Sequence, residues 1–502
     1  MKFISVFLIF ALVFVSFALF ASCSAEGGKS SGKPAPGSDD SESLQEETEE
    51  PEKQILDSLP KDLDFKGAKA NMIIRGGGAY GSGESEFYAE AENGEILNDA
   101  VYKRNRKLED RLNLDLNVIV GPDARVYDSA LNMIRSSIRA GDYDYDIVTG
   151  MATSFTALAL EGLFMNLHSV DYLDLSQPWW NQNIVKEATI GGNLNLLVGD
   201  ASVSMLAYSM ILFANKNIMA AYQLPDIYQV IFEGKWTLDY MYGYIKDVHK
   251  DVNGDGVMDK EDLYGFTSSK SGPHLGAFME AAGIKITKIG DDGLPYLAMD
   301  AERMAALLDK AYDIIYSNPS SRISNEQDYD MYILTGMMKN DRALLVPGAI
   351  ADAEFLRDME TDYGIIPYPK YDEKQEEYFS RVAPYYTVFC IPANSVTSDM
   401  AGAVMEAMAS ASHATIMPAY FDVMMKIKFA RDEQTEKILD IIRGSAYMDF
   451  STLYDSSINS PWNMFYDLLG KKSTDFASWY EKNEPKIQSG IDNLIQKMED
   501  MH

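Results

Sequence analysis

Ala70-Asn-Met-Ile-Ile-Arg75 is a short apolar run that ends in glycines, and it opens the stretch whose reading decides the fold. Asn98–Leu112 (NDAVYKRNRKLEDRL) follows, spacing Val101, Leu108 and Leu112 among charges as an amphipathic helix does. Leu114-Asp-Leu-Asn-Val-Ile-Val120 alternates as a strand, Asp128–Ala140 returns to helical spacing, and Tyr143-Asp-Tyr-Asp-Ile-Val-Thr149 is a further strand closed by Gly150. The order β-α-β-α-β predicts an α/β lobe with helices on a largely parallel sheet. Open sheets of this kind bind ligands beyond the carboxyl ends of their strands, so the loops after Arg75 and Thr149 are candidate ligand walls.

Upstream, residues 3–22 (FISVFLIFALVFVSFALFAS) carry no charge and follow a single Lys2. They read as an export signal over 1–22, although a run of roughly 20 apolar residues also suits a retained membrane anchor. Leu19-Phe20-Ala21-Ser22-Cys23 resembles a bacterial lipobox, with Phe20 where Leu is usual, and assigns lipidation to Cys23. Either reading places the rest of the chain outside the cytoplasm. Residues 23–60 are rich in Ser, Gly, Pro and Glu; 24–53 hold nine acidic and three basic side chains. Such a segment buries too little apolar surface to offset chain entropy, and it is expected to be a solvated leash.

Downstream, Ser202–Asn215 (SVSMLAYSMILFAN) is too long for one ordinary strand and reads as a crossing between two lobes. Leu344–Pro347 and Tyr386–Pro392 are expected as the returns. After Val396 the pattern is helical through Met400–Ser412, Asp432–Ile442 and Asp475–Met498, and no internal repeat is present. The whole chain of 502 residues holds 44 Lys+Arg against 76 Asp+Glu, a net charge of −32, with 46% apolar residues. That balance excludes a disordered acidic protein and argues against nucleic-acid binding, which needs clustered cations. Two cysteines exclude a disulfide scaffold and a Cys-based zinc module. Cys390, in an apolar segment, is expected to be a buried, inert thiol.

Several segments together resemble the extracellular solute-binding proteins of bacterial ABC-type sugar uptake systems, in particular the large lipoprotein branch common on Gram-positive cell surfaces. They are Tyr143-Asp-Tyr-Asp-Ile-Val148, Gln177-Pro-Trp-Trp-Asn-Gln182, Leu212-Phe-Ala-Asn-Lys-Asn217, Lys235-Trp-Thr-Leu-Asp239, Asp362-Tyr-Gly-Ile-Ile-Pro-Tyr-Pro369, and Arg431-Asp-Glu with Leu439-Asp-Ile-Ile442. The resemblance implies a two-lobed, type II periplasmic-binding-protein-like α/β fold with a hinge of about three crossing segments. On it, one lobe is expected at about 61–205 plus 345–385 and the other at about 215–342 plus 388–502. It further implies a lipid-anchored receptor that holds a carbohydrate, an oligosaccharide above all, and passes it to ABC permease subunits. A non-sugar solute such as a peptide, or a secreted carbohydrate-active hydrolase, are the alternatives.

Asp251-Val-Asn-Gly-Asp-Gly-Val-Met-Asp-Lys-Glu-Asp262 is the sharpest local motif. Asp251, Asn253, Asp255, Asp259 and Asp262 fall at positions 1, 3, 5, 9 and 12, with Gly256 at the tight sixth position and the Val257 carbonyl at the seventh. This is the spacing by which an EF-hand-like loop wraps Ca²⁺, and Trp236–Lys250 is expected to supply the preceding helix. Gly76-Gly-Gly78-Ala-Tyr-Gly81 matches a dinucleotide fingerprint only formally, because the next residues are polar and acidic; a glycine-rich cleft loop is the better reading. For a sugar ligand, aromatic faces and carboxylates matter most. The candidates are Tyr80, Phe155, Trp236, His274, Phe278, Tyr385, Tyr386 and Trp462, with Asp200 as carboxylate and Gly348 beside Pro347 as a source of backbone amides. Trp179-Trp180 is expected to pack. No zinc-protease, G-x-S-x-G or P-loop signature is present, so no catalytic residue is assigned.

Overall fold

The computed structural model describes residues 57–76, 84–123, 127–270, 272–324, 336–426 and 433–500. Cys23, the export segment, most of the leash, Tyr80 in its glycine-rich loop and Arg431 lie outside the described residues. The strands in chain order are β1 (Ala68–Gly76), β2 (Leu114–Asp123), β3 (Ile147–Met151), β4 (Met210–Asn215), β5 (His249–Lys250), β6 (Leu263–Ser268) and β7 (Thr287–Ile289). They continue with β8 (Pro295–Leu297), β9 (Ser321–Ile323), β10 (Ala343–Ala349), β11 (Tyr363–Ile366), β12 (Ser380–Arg381), β13 (Thr387–Cys390) and β14 (Ala446–Tyr447).

The first sheet has the order β13-β3-β1-β2. β1 runs parallel to both β2 and β3, as the β-α-β-α-β pattern predicts, and β13 closes the edge antiparallel. Helix Ile96–Leu112 turns Val101, Leu108 and Leu112 inward. The third strand starts at Ile147 rather than Tyr143, because Asp146 is occupied elsewhere: its carboxylate accepts the Asn71 amide at 2.7 Å and pairs with the Thr397 hydroxyl. The second sheet has the order β11-β4-β10-β6-β5, with β9 also on β6. β10 is buried along its whole length between antiparallel β4 and parallel β6. Pro347 is tolerated in this strand because the pairing with β6 has ended at Leu345, so no ladder donor is missed on that side.

This topology corrects the expected lobe boundaries. Leu344–Pro347 is apolar because it is a central strand, not because it crosses between lobes. β10 and β11, expected with the first lobe, belong to the second sheet, whereas β13 joins the first. Helices Ser398–Ala414 and Ile416–Lys426 likewise pack on helix Ile96–Leu112 of the first lobe. Met400–Ser412 is buried on every face, the expected state of a helix apolar all round. Helix Glu433–Ser445 then packs on β11, returning the chain to the second lobe. Among the described residues the chain therefore passes between the sheets twice, between Met151 and Met210 and between Ile366 and Thr387. The two passages pair with each other, since Ala383 donates its amide to the Tyr208 carbonyl at 3.0 Å and Ser209 bridges Val382.

Candidate functional site

The carboxyl ends of β1 and β3 meet the two passages, and buried polar groups hold the junction. Arg75, the last side chain of β1, donates through Nη1 to the Tyr385 carbonyl at 2.8 Å. Glu86 binds the Thr387 hydroxyl at 2.6 Å with one carboxylate oxygen and the Ser204 amide at 2.7 Å with the other. Ser202 donates its hydroxyl to the Thr387 carbonyl at 2.8 Å. Thr149, Met151, Ser154 and Phe155 line a narrow crevice with Arg75 at this end of the sheet.

The second cluster joins the second passage to the second lobe. Arg381 is 3.1 Å from Glu280 on helix Gly272–Ala281, and its guanidinium lies 5.2 Å over the Trp462 ring. Trp462 donates through Nε1 to the Ser451 hydroxyl at 2.9 Å, and Ser451 donates to Asp449 at 2.6 Å. Thr452 reaches both Asp449 and Glu280. Burial pushes the Glu280 carboxyl up to about 8 against the pull of Arg381. Burial also raises Asp449, against hydrogen bonds from Ser451 and Thr452. Glu280 Oε2, Arg381 Nε, Asp449 Oδ2 and the Tyr386 hydroxyl are buried without a hydrogen-bond partner among the described residues. Buried polar atoms are ordinarily satisfied, so these four call for water or a ligand's own polar groups.

The predicted residues divide between this junction and the core. Trp462 and Tyr385 lie at the junction, and Tyr385 meets Tyr208 edge-on at 6.1 Å. Tyr386 is there too, fully buried. Asp200 sits toward the end of the first passage, ten residues before β4; its carboxylate is bonded by His413 Nδ1 and lies 3.5 Å from Arg443 of the second lobe. Burial raises its carboxyl even so. His274 is 8% exposed, binds the Ser269 hydroxyl through Nδ1 at 3.0 Å, and is lowered by burial to about 4, so it is a neutral ring. Gly348 stands where a Cβ would lie 2.8 Å from the Phe213 ring; the next amide, of Ala349, is already taken by Asp352 at 2.7 Å.

Trp236 is a correction. It is wholly buried, donates to the Pro367 carbonyl at 2.9 Å and packs edge-on to Tyr240 and Tyr244, so it offers no face to a ligand. Phe155, also buried, stacks on Phe164 at 5.6 Å and forms the back of the crevice. Phe278 is a core residue against Tyr368 and Phe266. Trp180 packs and donates to Glu406 at 2.9 Å, and Cys390 is buried with its thiol raised by desolvation.

Arg75, Glu86, Glu280, Arg381 and Asp449 are not among the residues that the sequence pattern singles out. Their signal is present for three of them: Gly276-Ala-Phe-Met-Glu280-Ala-Ala, Ser380-Arg381-Val-Ala and Tyr447-Met-Asp449-Phe each set one charge among apolar or small residues. Lone charges in such settings are buried only when paired.

The loop from Asp251 to Asp262 links β5 to β6. Its preceding helix, capped by Thr237 as its first-turn sequence suggests, ends at Ile245, and β5 intervenes before the loop. Gly254 and Gly256 adopt φ of +74° and +80°, which favours glycine at both. Asp251 accepts the amides of Gly254 at 2.6 Å and Gly256 at 2.8 Å; Asp262 accepts those of Val252 at 2.9 Å and Asp259 at 2.8 Å. Those amides hold the Asp262 carboxyl below its usual range. The donors are hard oxygens of the type calcium takes. Among the described residues, however, no three acidic, His or Cys side chains are gathered closely enough to hold one ion.

No family model and no curated protein matches the chain. Solved structures do. A cyclo/maltodextrin-binding protein complexed with maltotetraose superposes with a TM-score of 0.53 at 14% identity, over 87% of this chain and 97% of that one. The extracellular solute-binding protein family 1 of Alicyclobacillus acidocaldarius gives a TM-score of 0.50 at 11% identity, over 86% and 99%. A de novo designed esterase gives 0.55 at 14%, over 84% and 99%. The chain has the two-lobed α/β fold of the two binding proteins.

Proposed function

We infer that the chain is an extracytoplasmic substrate-binding lipoprotein of an ABC importer, tethered through Cys23, which captures an oligosaccharide between its lobes and delivers it to a membrane permease. The observation that carries this reading is the cluster where the lobes join. Unpartnered polar atoms of Glu280, Arg381, Asp449 and Tyr386 stand in one network with Trp462. Sugar hydroxyls supply the missing donors and acceptors, while sugar C–H faces pack on aromatic rings such as Trp462 and Tyr385. The likeness to a protein complexed with maltotetraose supports a carbohydrate over a peptide. Closure of two lobes on a ligand is a population shift and requires no catalytic residue.

A thermal-shift screen tests this. A ligand at 100 times its Kd adds about 2.7 kcal/mol to stability, which a maltooligosaccharide or related sugar is expected to do. A panel in which peptides or polyols shift the transition and no sugar does would overturn the carbohydrate assignment. Release of new reducing ends during the incubation would instead mark a hydrolase.

The loop from Asp251 to Asp262 is assigned a structural Ca²⁺. Asp255 and Asp259 accept the amides of Val257 and Glu261 through Oδ1 at 2.8 Å each, which leaves the second oxygen of each carboxylate with a lone pair to take the ion. Calorimetric titration of chelator-treated protein is expected to show one site, and Asp251→Asn to abolish it; silence at millimolar Ca²⁺ would remove the assignment.

A further inference from the structure

An open groove of about 470 Å³ lies on the second lobe, at the end of helix Gly272–Ala281 opposite to His274. Four cations line it, Lys285, Lys288, Arg303 and Lys374, against two carboxylates, Asp300 and Asp372. In a chain of net charge −32 this is a local reversal of sign. Both carboxylates are committed to the backbone: Asp300 accepts the Arg303 amide at 2.9 Å, and Asp372 accepts those of Lys374 at 3.0 Å and Gln375 at 3.1 Å. Among the described residues neither is ion-paired with Lys285, Lys288 or Lys374.

Among the cations, Lys285 lies 3.7 Å from Glu187 and above the Tyr447 ring. Arg303 donates through Nη2 to the Ala282 carbonyl at 3.0 Å and covers the Tyr371 ring at 4.4 Å, leaving Nε buried without a partner. Lys288 and Lys374 are exposed, and neither ammonium group has an ion-pair or hydrogen-bond partner among the described residues. Phe379, packed over Gly283, gives the groove an apolar wall. The groove begins at Ala282, two residues beyond Glu280, but none of Glu280, Arg381, Asp449 and Trp462 lines it.

We propose that this groove is a second binding site, for an oxyanion group carried on a saccharide polymer. The ammonium groups of Lys288 and Lys374 meet the charge, and the Phe379 wall takes the apolar face of the attached sugar. The oxyanion has two sources with the same chemistry, the carboxylate of a uronic acid and the phosphate of a phosphodiester-linked polymer.

The test uses the full chain at low ionic strength, with inorganic phosphate as the first probe and phosphorus NMR or calorimetry as readout. Saturable binding is expected, weakening with added salt and at least about tenfold in the Lys288→Ala/Lys374→Ala double variant. Both side chains are exposed, so the thermal midpoint of that variant and its response to a neutral cleft sugar are expected to be unchanged. An oligogalacturonate and a glycerol-phosphate oligomer distinguish the sources, the true one binding more tightly than inorganic phosphate. Absence of saturable phosphate binding, or binding indifferent to the double substitution, overturns the site. If neither oligomer improves on inorganic phosphate, the polymer assignment is overturned.

Discussion

A single buried carboxyl carries the sharpest prediction at the scale of residues. Glu280 is 3% exposed and is raised from 4.5 to about 8, mainly by desolvation. Its folded value lies above its unfolded one, so the folded state holds the proton more firmly. The resulting stability is present in full below about pH 4.5 and is lost as pH rises toward 8. Over that window the loss is of the order of a few kcal/mol. Glu280→Gln copies the protonated carboxyl in shape and charge. It is therefore expected to match the parent within about 1 kcal/mol near pH 4.5, and to exceed it by a margin that grows from pH 6 to about pH 8, where the parent must hold a second ionised carboxylate beside Asp449. Urea unfolding at about pH 4.5, 6 and 8 measures this; parallel profiles for the two proteins would show that Glu280 stays ionised throughout. Trp236 and Trp462 show why residue identity alone does not separate core from site. Both are buried tryptophans whose Nε1 finds an acceptor, yet one lies in an aromatic cluster and the other under a guanidinium.

At the scale of elements, two glycines predict opposite outcomes for the same substitution. Gly348 lies on β10, and a Cβ there would meet the Phe213 ring at 2.8 Å and Asp352 at 3.0 Å. Gly348→Ala is expected to cost about 1–3 kcal/mol, because a central strand cannot move away from β4 without breaking its ladder. Gly243 sits exposed in helix Leu238–Ile245, and an added methyl would have nothing within 4 Å, so Gly243→Ala is expected to be neutral or to gain up to about 1 kcal/mol. Thermal unfolding of the pair checks both signs at once. The same contrast explains how far the fold is legible. The first sheet is built from elements adjacent in sequence, and periodicity finds its three parallel strands to within a few residues. The second is built from β4, β10 and β11, whose pairings span more than a hundred residues, as Leu212 with Pro347 and Ile366 does. No local pattern encodes such partners, so a central strand reads as a crossing. The site is legible only where a candidate happens to lie beside a passage, as Asp200, Tyr385 and Trp462 do.

For the whole molecule, the decisive question is which contacts between lobes a ligand strengthens. Glu187, on helix Gln182–Ala188 within the first passage, reaches four groups, Lys285 and three in the segment that follows helix Glu433–Ser445. Lys285 is 3.7 Å away, the Tyr447 hydroxyl 3.4 Å, the Phe450 amide 3.4 Å, and Asp449 acts on it through space. Asn183 accepts the Met448 amide at 2.8 Å, and Gly191 donates to the Gly293 carbonyl at 3.0 Å in the β7–β8 turn. Burial raises the Glu187 carboxyl, with Lys285 opposing. A ligand held between lobes can shift their arrangement only by binding one state better than the other. If these contacts belong to the ligand-bound arrangement, removing them taxes affinity by the population they sustain. Glu187→Ala is therefore expected to weaken the sugar identified by thermal shift by about tenfold, or ~1.4 kcal/mol, although no atom of Glu187 is assigned to the ligand. Hydrogen exchange supplies the independent reading: amides of 183–188 and 446–450 are expected to slow on sugar binding in the parent and to slow less in the variant. Unchanged affinity together with ligand-independent exchange would place these contacts in both states. The coupling between ligand and hinge would then have to run through Asp200, His413 and Arg443, the other point where the first passage meets both lobes.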